Sequence, residues 1–207
     1  MKKKIFIGIL SIIFISILIL VLLNKIDNID NLIYQRIYSL RSDLWDTIFK
    51  TITRFGNTLN VLCITIIIFL LVDRKTQRLL GINIMVTVFL NQFVKQIIRK
   101  PRPDHIRLIH QGGYSFPSGH AMISIALYGF LIYLLITKPC NKYLKVFGIP
   151  ILTLLIIGIG CSRIYLGVHY PSDVLAGYSL SLIILILVIH YKDKMNWGNN
   201  HDKNGSK

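Results

Sequence analysis

Long apolar segments alternate with short polar ones along the whole chain. A helix needs about 20 mainly apolar residues to cross a hydrocarbon core of about 30 Å. The stretches that approach this length are Ile5–Leu23, Phe55–Val72, Leu79–Ile98, Gly119–Thr137, Leu144–Ser162 and Asp173–Tyr191. The pattern predicts an all-α fold, a six-transmembrane-helix bundle that forms one integral-membrane domain over residues 1–207.

Two of these stretches differ from simple lipid-facing helices. The first follows Lys2–Lys4 as in a signal peptide, but its apolar run is too long and no small-residue cleavage site follows, so we expect a retained helix. The third stretch contains four polar residues, Asn83, Asn91, Gln92 and Lys95. Because such groups are costly in lipid, we expect them to face other helices or a water-filled cavity.

The connection between the first two stretches, residues 24–54, is too long for a simple loop. Its apolar residues recur at helical spacing among charged ones: Leu32, Ile33, Ile37, Leu40, Leu44, Ile48, Phe49 and Ile52. This periodicity predicts one or two interfacial amphipathic helices, with a mobile loop as the alternative. At the other end of the chain, the polar segment Asn196–Lys207 predicts a disordered tail.

Composition narrows the class of protein. The chain has 24 Lys and Arg residues against 9 acidic ones and a formal net charge of +15, yet 53% of its residues are apolar and its mean hydropathy is +0.58. A disordered basic tail lacks that hydrophobicity. A soluble nucleic-acid-binding protein rarely carries such long apolar runs, so we expect no nucleic-acid partner. A membrane protein with basic cytoplasmic loops fits both properties.

The reactive residue types exclude several kinds of site. All nine acidic residues are Asp, and the absence of Glu rules out the zinc-binding sequence H-E-x-x-H. The cysteines, Cys63, Cys140 and Cys161, are too widely spaced for a disulfide framework or a C-x-x-C metal site. We expect them to be inert thiols in apolar segments.

The distribution of basic residues predicts the orientation. With six spans, most of them fall on the face that carries both termini, which the positive-inside rule makes cytoplasmic in a multi-pass protein of the cell membrane. A second group lies on the outer side against this rule: Lys95, Arg99, Lys100, Arg102, Arg107 and Arg163. Positive charge there requires another explanation.

The first cluster of these residues ends the third stretch, in the segment KQIIRKPRP at positions 95–103. Its prolines end the helix and stiffen the chain that carries Arg102. A rigid guanidinium and a nearby ammonium suit a phosphate, the first as a bidentate donor and the second as a point charge. We expect a function for Lys95 and Arg102, and ordinary snorkelling at a helix end for Arg99 and Lys100.

The second cluster, PSGH at positions 117–120, opens the fourth stretch. Ser118 is a natural N-cap, Gly119 lets a ligand approach the first backbone amides, and His120 adds an imidazole. A helix start attracts anions by itself. Such a sequence alone is more often structural than functional, and its position after the first cluster favours function.

The third cluster, SRIYLGVHYPSD at positions 162–173, contains Arg163, His169 and Asp173. Pro171 suits the first turn of the sixth stretch, which places Asp173 within reach of His169. A carboxylate that accepts from one imidazole nitrogen leaves the other nitrogen electron-rich, as in an activated base or nucleophile. A structural pair of a buried histidine with a helix N-terminal Asp is the alternative.

With an even number of spans, all three clusters lie on the non-cytoplasmic side. Asp104 and Asp173 are the only acidic residues nearby, so a divalent cation lacks ligands and we expect neither a metal nor another cofactor. Cationic side chains at the same face can neutralise a phosphate. The combination favours metal-independent phosphoryl transfer.

These clusters resemble the signature of the type 2 phosphatidic acid phosphatase (PAP2) superfamily, K-x6-R-P, P-S-G-H and S-R-x5-H-x3-D. The chain carries them without departures between residues 95 and 173. The six-span layout also resembles the bacterial membrane lipid phosphatases of this superfamily, the phosphatidylglycerophosphatase B and undecaprenyl-diphosphate phosphatase branch.

The resemblance implies a role for each matching residue. His169 attacks phosphorus and forms a phosphohistidine, Asp173 orients it, and His120 protonates the leaving oxygen. The residues implied to hold the phosphoryl oxygens are Lys95, Arg102, Ser118, Gly119 and Arg163. The implied partners are the bilayer and a lipid phosphate: undecaprenyl pyrophosphate, phosphatidylglycerol phosphate or phosphatidic acid. The outward orientation favours the first, and no protein partner is indicated.

Two other classes of protein use similar residues. A non-catalytic lipid-phosphate binder or transporter needs the cations but not a histidine backed by a carboxylate. An envelope protein whose basic residues anchor anionic lipid needs neither Arg102 nor Arg163. The sequence assigns no role to the loop at 104–116, which is long enough to close over the site.

Overall fold

The computed structural model describes residues 2–104 and 107–192, which are helical wherever they form regular structure. The helices are α1 (Lys2–Leu22), α2 (Asp27–Tyr38), α3 (Asp43–Arg54), α4 (Thr58–Leu71), α5 (Arg74–Ile98), α6 (Gly119–Ser124), α7 (Phe130–Thr137), α8 (Lys142–Tyr165) and α9 (Pro171–His190). A π-helical turn, Ile125–Gly129, joins α6 to α7 into one span. The all-α prediction is confirmed, and the predicted disordered tail, 196–207, lies outside the described residues.

In the part of the chain that the structure describes, five spans are long and apolar enough to cross a membrane: α1, α5, α6–α7, α8 and α9. The predicted span Phe55–Val72 is the exception, because α4 has only 14 residues and a helix of that length covers about 21 Å. Helices α3 and α4 reach the required length together but are bent by 48°. Asn57 starts α4 after the bend by accepting from Leu59 N at 3.3 Å. The membrane bundle is therefore confirmed with five spans, or six if the bent pair counts as one.

The connection between the first two predicted spans forms two helices, α2 and α3, and not the mobile loop of the alternative. Helix α3 packs along α8, and α2 contacts α8 and α9. The predicted position of α2 and α3 at the membrane surface stays a prediction.

Helix α9 lies at the centre of the bundle, against α1, α5 and α6. Small residues allow this approach: a Cβ added at Gly177 would lie 2.9 Å from Ser118 O, and Ser181 Oγ donates to Met122 O at 2.7 Å. Three of the four polar residues on α5 are also buried among helices, Asn83, Asn91 and Lys95, and Asn83 Nδ2 donates to Ala126 O at 2.8 Å. The fourth, Gln92, is exposed and lines a cavity. This packing brings the start of α6 next to the start of α9.

Candidate active site

The three sequence clusters meet at one end of the bundle, where α5 and α8 end and α6 and α9 begin. Lys95 lies in the last turn of α5, and Arg163 lies in the last turn of α8. Ser118 caps the start of α6, and Asp173 lies in the first turn of α9. A hydrogen bond from Ser118 N to Asp173 O, 2.9 Å long, joins the last two helix starts.

His169 and Asp173 form a buried pair at the start of α9. His169 Nδ1 lies 3.4 Å from Asp173 Oδ2, which also accepts from Tyr170 N at 2.9 Å. His169 Nε2 lies 3.0 Å from Arg102 Nη1, and a guanidinium can only donate. These partners select the tautomer in which Nδ1 carries the proton and Nε2 presents its lone pair.

Arg102 uses the rest of its donors to tie two loops together. Its Nη1 donates to Val168 O at 2.6 Å, and its Nε and Nη2 donate to the carbonyls of Gly112 and Gly113 at 2.9–3.2 Å. Burial lowers the pKa of Arg102 to about 10, so its guanidinium remains charged at neutral pH. A fixed positive charge therefore lies beside His169 Nε2.

Lys95 and Arg163 are held by groups of other elements. Lys95 Nζ donates to Tyr114 O at 2.6 Å and to Ser115 O at 3.3 Å. Arg163 donates to Thr53 Oγ1 of α3 and to Gln111 Oε1, both at 2.8 Å. Within the described residues, Arg163 Nε is buried without a hydrogen-bond partner.

The loop after α5, described except for residues 105–106, thus lies against the cationic groups. Carbonyls of its last residues, Gly112 to Ser115, accept from Arg102 and Lys95. That this loop closes over the site stays a prediction.

The start of α6 contributes an amide and a histidine. Ser118 is buried, and its Oγ accepts from Ala121 N at 3.5 Å as an N-cap. A Cβ added at Gly119 would lie 3.1 Å from Asn91 Oδ1, so only glycine fits here without displacement. Asn91 Nδ2 in turn donates to Pro117 O at 3.0 Å, which holds the segment against α5.

Two cavities meet at His120. One has a volume of about 400 Å³ and runs along α4, α5 and α6. Its apolar lining is formed by Val61, Leu62, Ile84, Val88, Met122 and Ile123, and its polar end by Lys95, Arg102, Gly119 and His120. The other has a volume of about 510 Å³ and contains the basic residues Lys50, Arg54, His110 and Arg163.

The eight residues predicted for the site therefore lie at one end of the bundle, but the prediction for Lys100 is wrong. Arg99 is exposed, as snorkelling requires, whereas Lys100 is only 8% exposed. Helix α5 ends at Ile98 and Arg99 takes a left-handed conformation with φ 51°, which turns the next residue inward. Lys100 Nζ then donates to Asp30 Oδ2 of α2 at 2.8 Å.

Sequence reasoning also missed Asp30, Thr53 and Gln111. Asp30 and Thr53 precede the first motif by 40 residues or more, and Gln111 lies in a loop without periodicity. None belongs to a cluster of chemically active residues, so only the tertiary packing of α2 and α3 identifies them. Within residues 2–104 and 107–192, no group of three His, Cys, Asp or Glu side chains lies close enough to hold a metal.

Comparison with known proteins places these features in a family context. A family model described as the PAP2 superfamily matches residues 76–197, which run from the first turn of α5 through α9. Phosphatidylglycerophosphatase B of Bacillus subtilis is 32% identical over 181 residues, covering 83% of this chain and 87% of that protein. An undecaprenyl-diphosphatase of Sulfolobus acidocaldarius is 30% identical over 129 residues, 58% of each chain.

Similarity extends to a solved structure. The crystal structure of a transmembrane PAP2-type phosphatidylglycerolphosphate phosphatase from Bacillus subtilis matches with a TM-score of 0.79 at 29% identity. The match covers 91% of this chain and 98% of that one. With 91% of this chain covered, the likeness extends to most of the chain before residue 76 as well as to the helices that carry the motifs.

Proposed function

The chain belongs to the PAP2 superfamily of membrane lipid phosphatases, and from that premise we propose that it hydrolyses a lipid phosphomonoester or pyrophosphate through a phosphohistidine at His169. The observation that carries the proposal is the placement of His169 between Asp173 and Arg102. One ring nitrogen faces a carboxylate, and the lone pair of the other faces a phosphate-binding group. A non-catalytic lipid-phosphate binder has no use for that arrangement.

In the first step, His169 Nε2 attacks phosphorus and the bond from phosphorus to the leaving oxygen breaks. Arg102 lies 3.0 Å from this nitrogen, so a phosphoryl oxygen held by the guanidinium brings phosphorus next to the lone pair. His120 donates its proton to the leaving oxygen, and Asp173 stabilises the positive charge that develops on the His169 ring.

In the second step, a water molecule attacks the phosphohistidine. The bond from phosphorus to Nε2 breaks, His120 accepts a proton from the water, and inorganic phosphate leaves with His169 neutral again. His120 therefore acts as the acid in the first step and as the base in the second, and it ends the cycle in its starting protonation state. The sequence consumes one water per phosphate released.

Five groups stabilise the phosphoryl oxygens in this proposal: Lys95, Arg102, Ser118, the Gly119 amide and Arg163. The buried, unpartnered Nε of Arg163 supports it, because such a donor is costly unless a ligand accepts from it. Three fixed cations can offset the transferred charge without a metal, and removing one comparable donor costs about 2.7–4 kcal/mol of barrier in other enzymes.

The apolar cavity supports a lipid as the substrate. Its polar end contains Lys95, Arg102 and His120, and its walls are side chains of α4, α5 and α6. An alkyl or prenyl tail fits such walls, because burying apolar surface is favourable, while the phosphate remains at the cationic end. The cavity can therefore bind the tail along its apolar walls and the scissile phosphate at its cationic end.

The second cavity favours a substrate with a further negative charge. Lys50, Arg54 and His110 line it, and it adjoins the first cavity at His120, so these basic residues lie near the leaving oxygen that His120 is proposed to protonate. A pyrophosphate or a glycerol phosphodiester carries a second anionic phosphate there, whereas phosphatidic acid does not. We therefore propose undecaprenyl pyrophosphate or phosphatidylglycerol phosphate as the physiological substrate, hydrolysed at the extracytoplasmic face.

The decisive experiment compares phosphate release from undecaprenyl pyrophosphate, phosphatidylglycerol phosphate and phosphatidic acid in identical micelles with excess chelator. We expect release from all three and a higher kcat/KM for the two substrates with a second phosphate. His169→Ala should abolish turnover and leave the thermal unfolding midpoint unchanged, whereas His190→Ala, an exposed histidine at the far end of α9, should keep full activity.

Three outcomes contradict parts of the proposal. Substantial phosphate release by His169→Ala refutes the nucleophile. Loss of activity in chelator that magnesium restores refutes the metal-free mechanism. Binding of the lipids by the wild-type protein without any release of phosphate identifies a binder or transporter instead of an enzyme.

A further inference from the structure

A buried ion pair lies behind Asp173 and has no part in the steps above. Asp30 of α2 is 1% exposed and Lys100 is 8% exposed, and they stand 70 positions apart in the chain. Burying two charges far from water costs several kcal/mol per ion before their attraction is counted. A pair that serves packing alone is often replaceable by apolar side chains at no loss, so its surroundings decide what it does.

Both members of this pair form hydrogen bonds with Ser172 at the start of α9. Asp30 Oδ1 accepts from Ser172 N at 3.0 Å, and Asp30 Oδ2 accepts from Ser172 Oγ at 2.5 Å. Lys100 Nζ donates to Asp30 Oδ2 at 2.8 Å and to Ser172 Oγ at 3.0 Å. The residue held in this way immediately precedes Asp173.

Lys100 also reaches Asp173 itself. Its Nζ lies 3.4 Å from Asp173 Oδ1, while the other carboxylate oxygen, Oδ2, faces His169 Nδ1 at 3.4 Å. The ammonium therefore donates to Asp30 and Ser172 and forms an ion pair with Asp173, whose Oδ1 is buried without a hydrogen-bond partner among the described residues. It also lies 4.5 Å from the centre of the Tyr170 ring. The two oxygens of the Asp173 carboxylate thus face different partners, Oδ1 the Lys100 ammonium and Oδ2 the His169 ring.

We propose that Lys100 and Asp30 are positioning residues for His169 and act through Asp173, an inference that rests on the proposed function. Lys100 fixes the rotation of the Asp173 carboxylate so that Oδ2 points at His169 Nδ1. Asp30 holds Lys100 in place and anchors the backbone at Ser172. Helix α2, which carries no recognisable motif, thereby becomes part of the support of the nucleophile.

This arrangement predicts a specific kinetic signature. Neither Lys100 nor Asp30 lines either cavity at the site, so removing them should leave substrate binding almost unchanged. A misplaced nucleophile slows the chemical step, and displacements of about 1 Å cost up to roughly 100-fold in rate. We expect Lys100→Met to lower kcat by about 10- to 100-fold while KM changes by less than about threefold.

The double variant Asp30→Asn/Lys100→Met separates positioning from folding. It removes both charges with side chains of similar length, so neither ion remains buried alone. We expect its thermal unfolding midpoint to return close to that of the wild type while its kcat stays low. Asp27→Asn, an exposed carboxylate of the same helix, is the matched control and should keep wild-type stability and kcat.

Coupling to Asp173 tests the route of action. If Lys100 acts only through Asp173, adding Lys100→Met to Asp173→Asn should cause no further loss of kcat. The proposal is overturned if the double charge variant turns over at the wild-type rate. It is equally overturned if Lys100→Met slows the Asp173→Asn protein by the factor seen in the wild type, or if both Lys100 variants fail to fold. Absence of phosphate release by the wild-type protein refutes the proposed function itself, and this inference with it.

Discussion

His169 shows how the surroundings of a single residue determine its chemistry. Burial lowers the pKa of His169 well below its ordinary value of 6.5, and the neighbouring charges of Arg163, Arg102 and Lys95 lower it further. A lowered pKa means that the ring is neutral at pH 6.5, where a free imidazole is half protonated. The nucleophile assigned to this residue is therefore available in mildly acidic as well as neutral solution.

This protonation state is measurable without turnover. We expect imidazole ¹⁵N spectra, assigned by difference from His169→Ala, to show His169 neutral with its proton on Nδ1 at pH 6. The reason is that Asp173 Oδ2 accepts from Nδ1 while Arg102 donates toward Nε2. Titration with a midpoint near 6.5, or a proton on Nε2 at neutral pH, contradicts the assigned geometry.

At this scale the sequence predicts whatever lies in contiguous motifs. His120, His169 and Asp173 are recognisable because they lie in short motifs beside Ser118 and Pro171, which are typical of helix starts. Lys100 is not, because its environment depends on the left-handed conformation of Arg99 and on a helix 70 positions away. The pattern of hydrophobic residues predicts neither the conformation of Arg99 nor the position of α2.

Among the secondary-structure elements, the break between α3 and α4 has the most direct effect on the site. The chain bends at Phe55–Asn57, and Tyr128 Oη from the π-helical turn donates to Phe55 O at 2.7 Å. Gly56 lies in this bend against α6 and α8, where an added Cβ would stand 2.9 Å from His120 Cδ2 and 2.8 Å from Ile159 Cγ2. The bend therefore sets the space available to His120.

Gly56→Ala tests that contact. We expect it to destabilise the protein by about 1–3 kcal/mol through overpacking and to lower kcat, because the new methyl group pushes His120 away from the leaving oxygen. Gly81→Ala is the control, since its Cβ would make only an ordinary contact at 3.6 Å with Phe69. Thermal unfolding in detergent and phosphate release are the measurements. Equal behaviour of the two variants contradicts the tight packing at the bend.

Hydropathy predicts most helices to within a few residues, because the length of an apolar run is set by the membrane. It places the second span at 55–72, whereas α4 occupies Thr58–Leu71 and continues from α3 through a bend. Asn57 caps α4 after the bend, and Tyr128 donates to Phe55 O from 73 positions away, a tertiary contact that no local pattern predicts.

At the scale of the molecule, basic side chains among the described residues line cavities at opposite ends of the bundle. The site end contains the cations of the two cavities, and the other end contains Lys75, Lys138 and Lys192 around Asp73. Lys138 Nζ pairs with Asp73 at 3.1 Å in an exposed position. We propose that the second end is cytoplasmic, as the sequence predicts.

A natural cysteine offers a test of this orientation. Cys140 was predicted to lie in an apolar segment, which is wrong: it is a free, exposed thiol in the loop between α7 and α8, at the end proposed to be cytoplasmic. With Cys63 and Cys161 replaced by Ser, we expect a membrane-impermeant maleimide to label Cys140 only after the cells are broken. Adding Lys50→Cys should introduce a site that is labelled in intact cells. The reverse pattern places the active site in the cytoplasm.

Asp30 and Thr53 link the helices before residue 76 to the region that carries the motifs. The region that identifies the family begins at residue 76, yet Thr53 binds Arg163 and Asp30 binds Ser172 from helices that precede it. We therefore expect residues 76–197 alone to lack activity, because they lose these contacts. A chimera that takes this region from a relative should also take the residues at positions 30 and 53 from that relative. Otherwise the contacts to positions 163 and 172 would be lost.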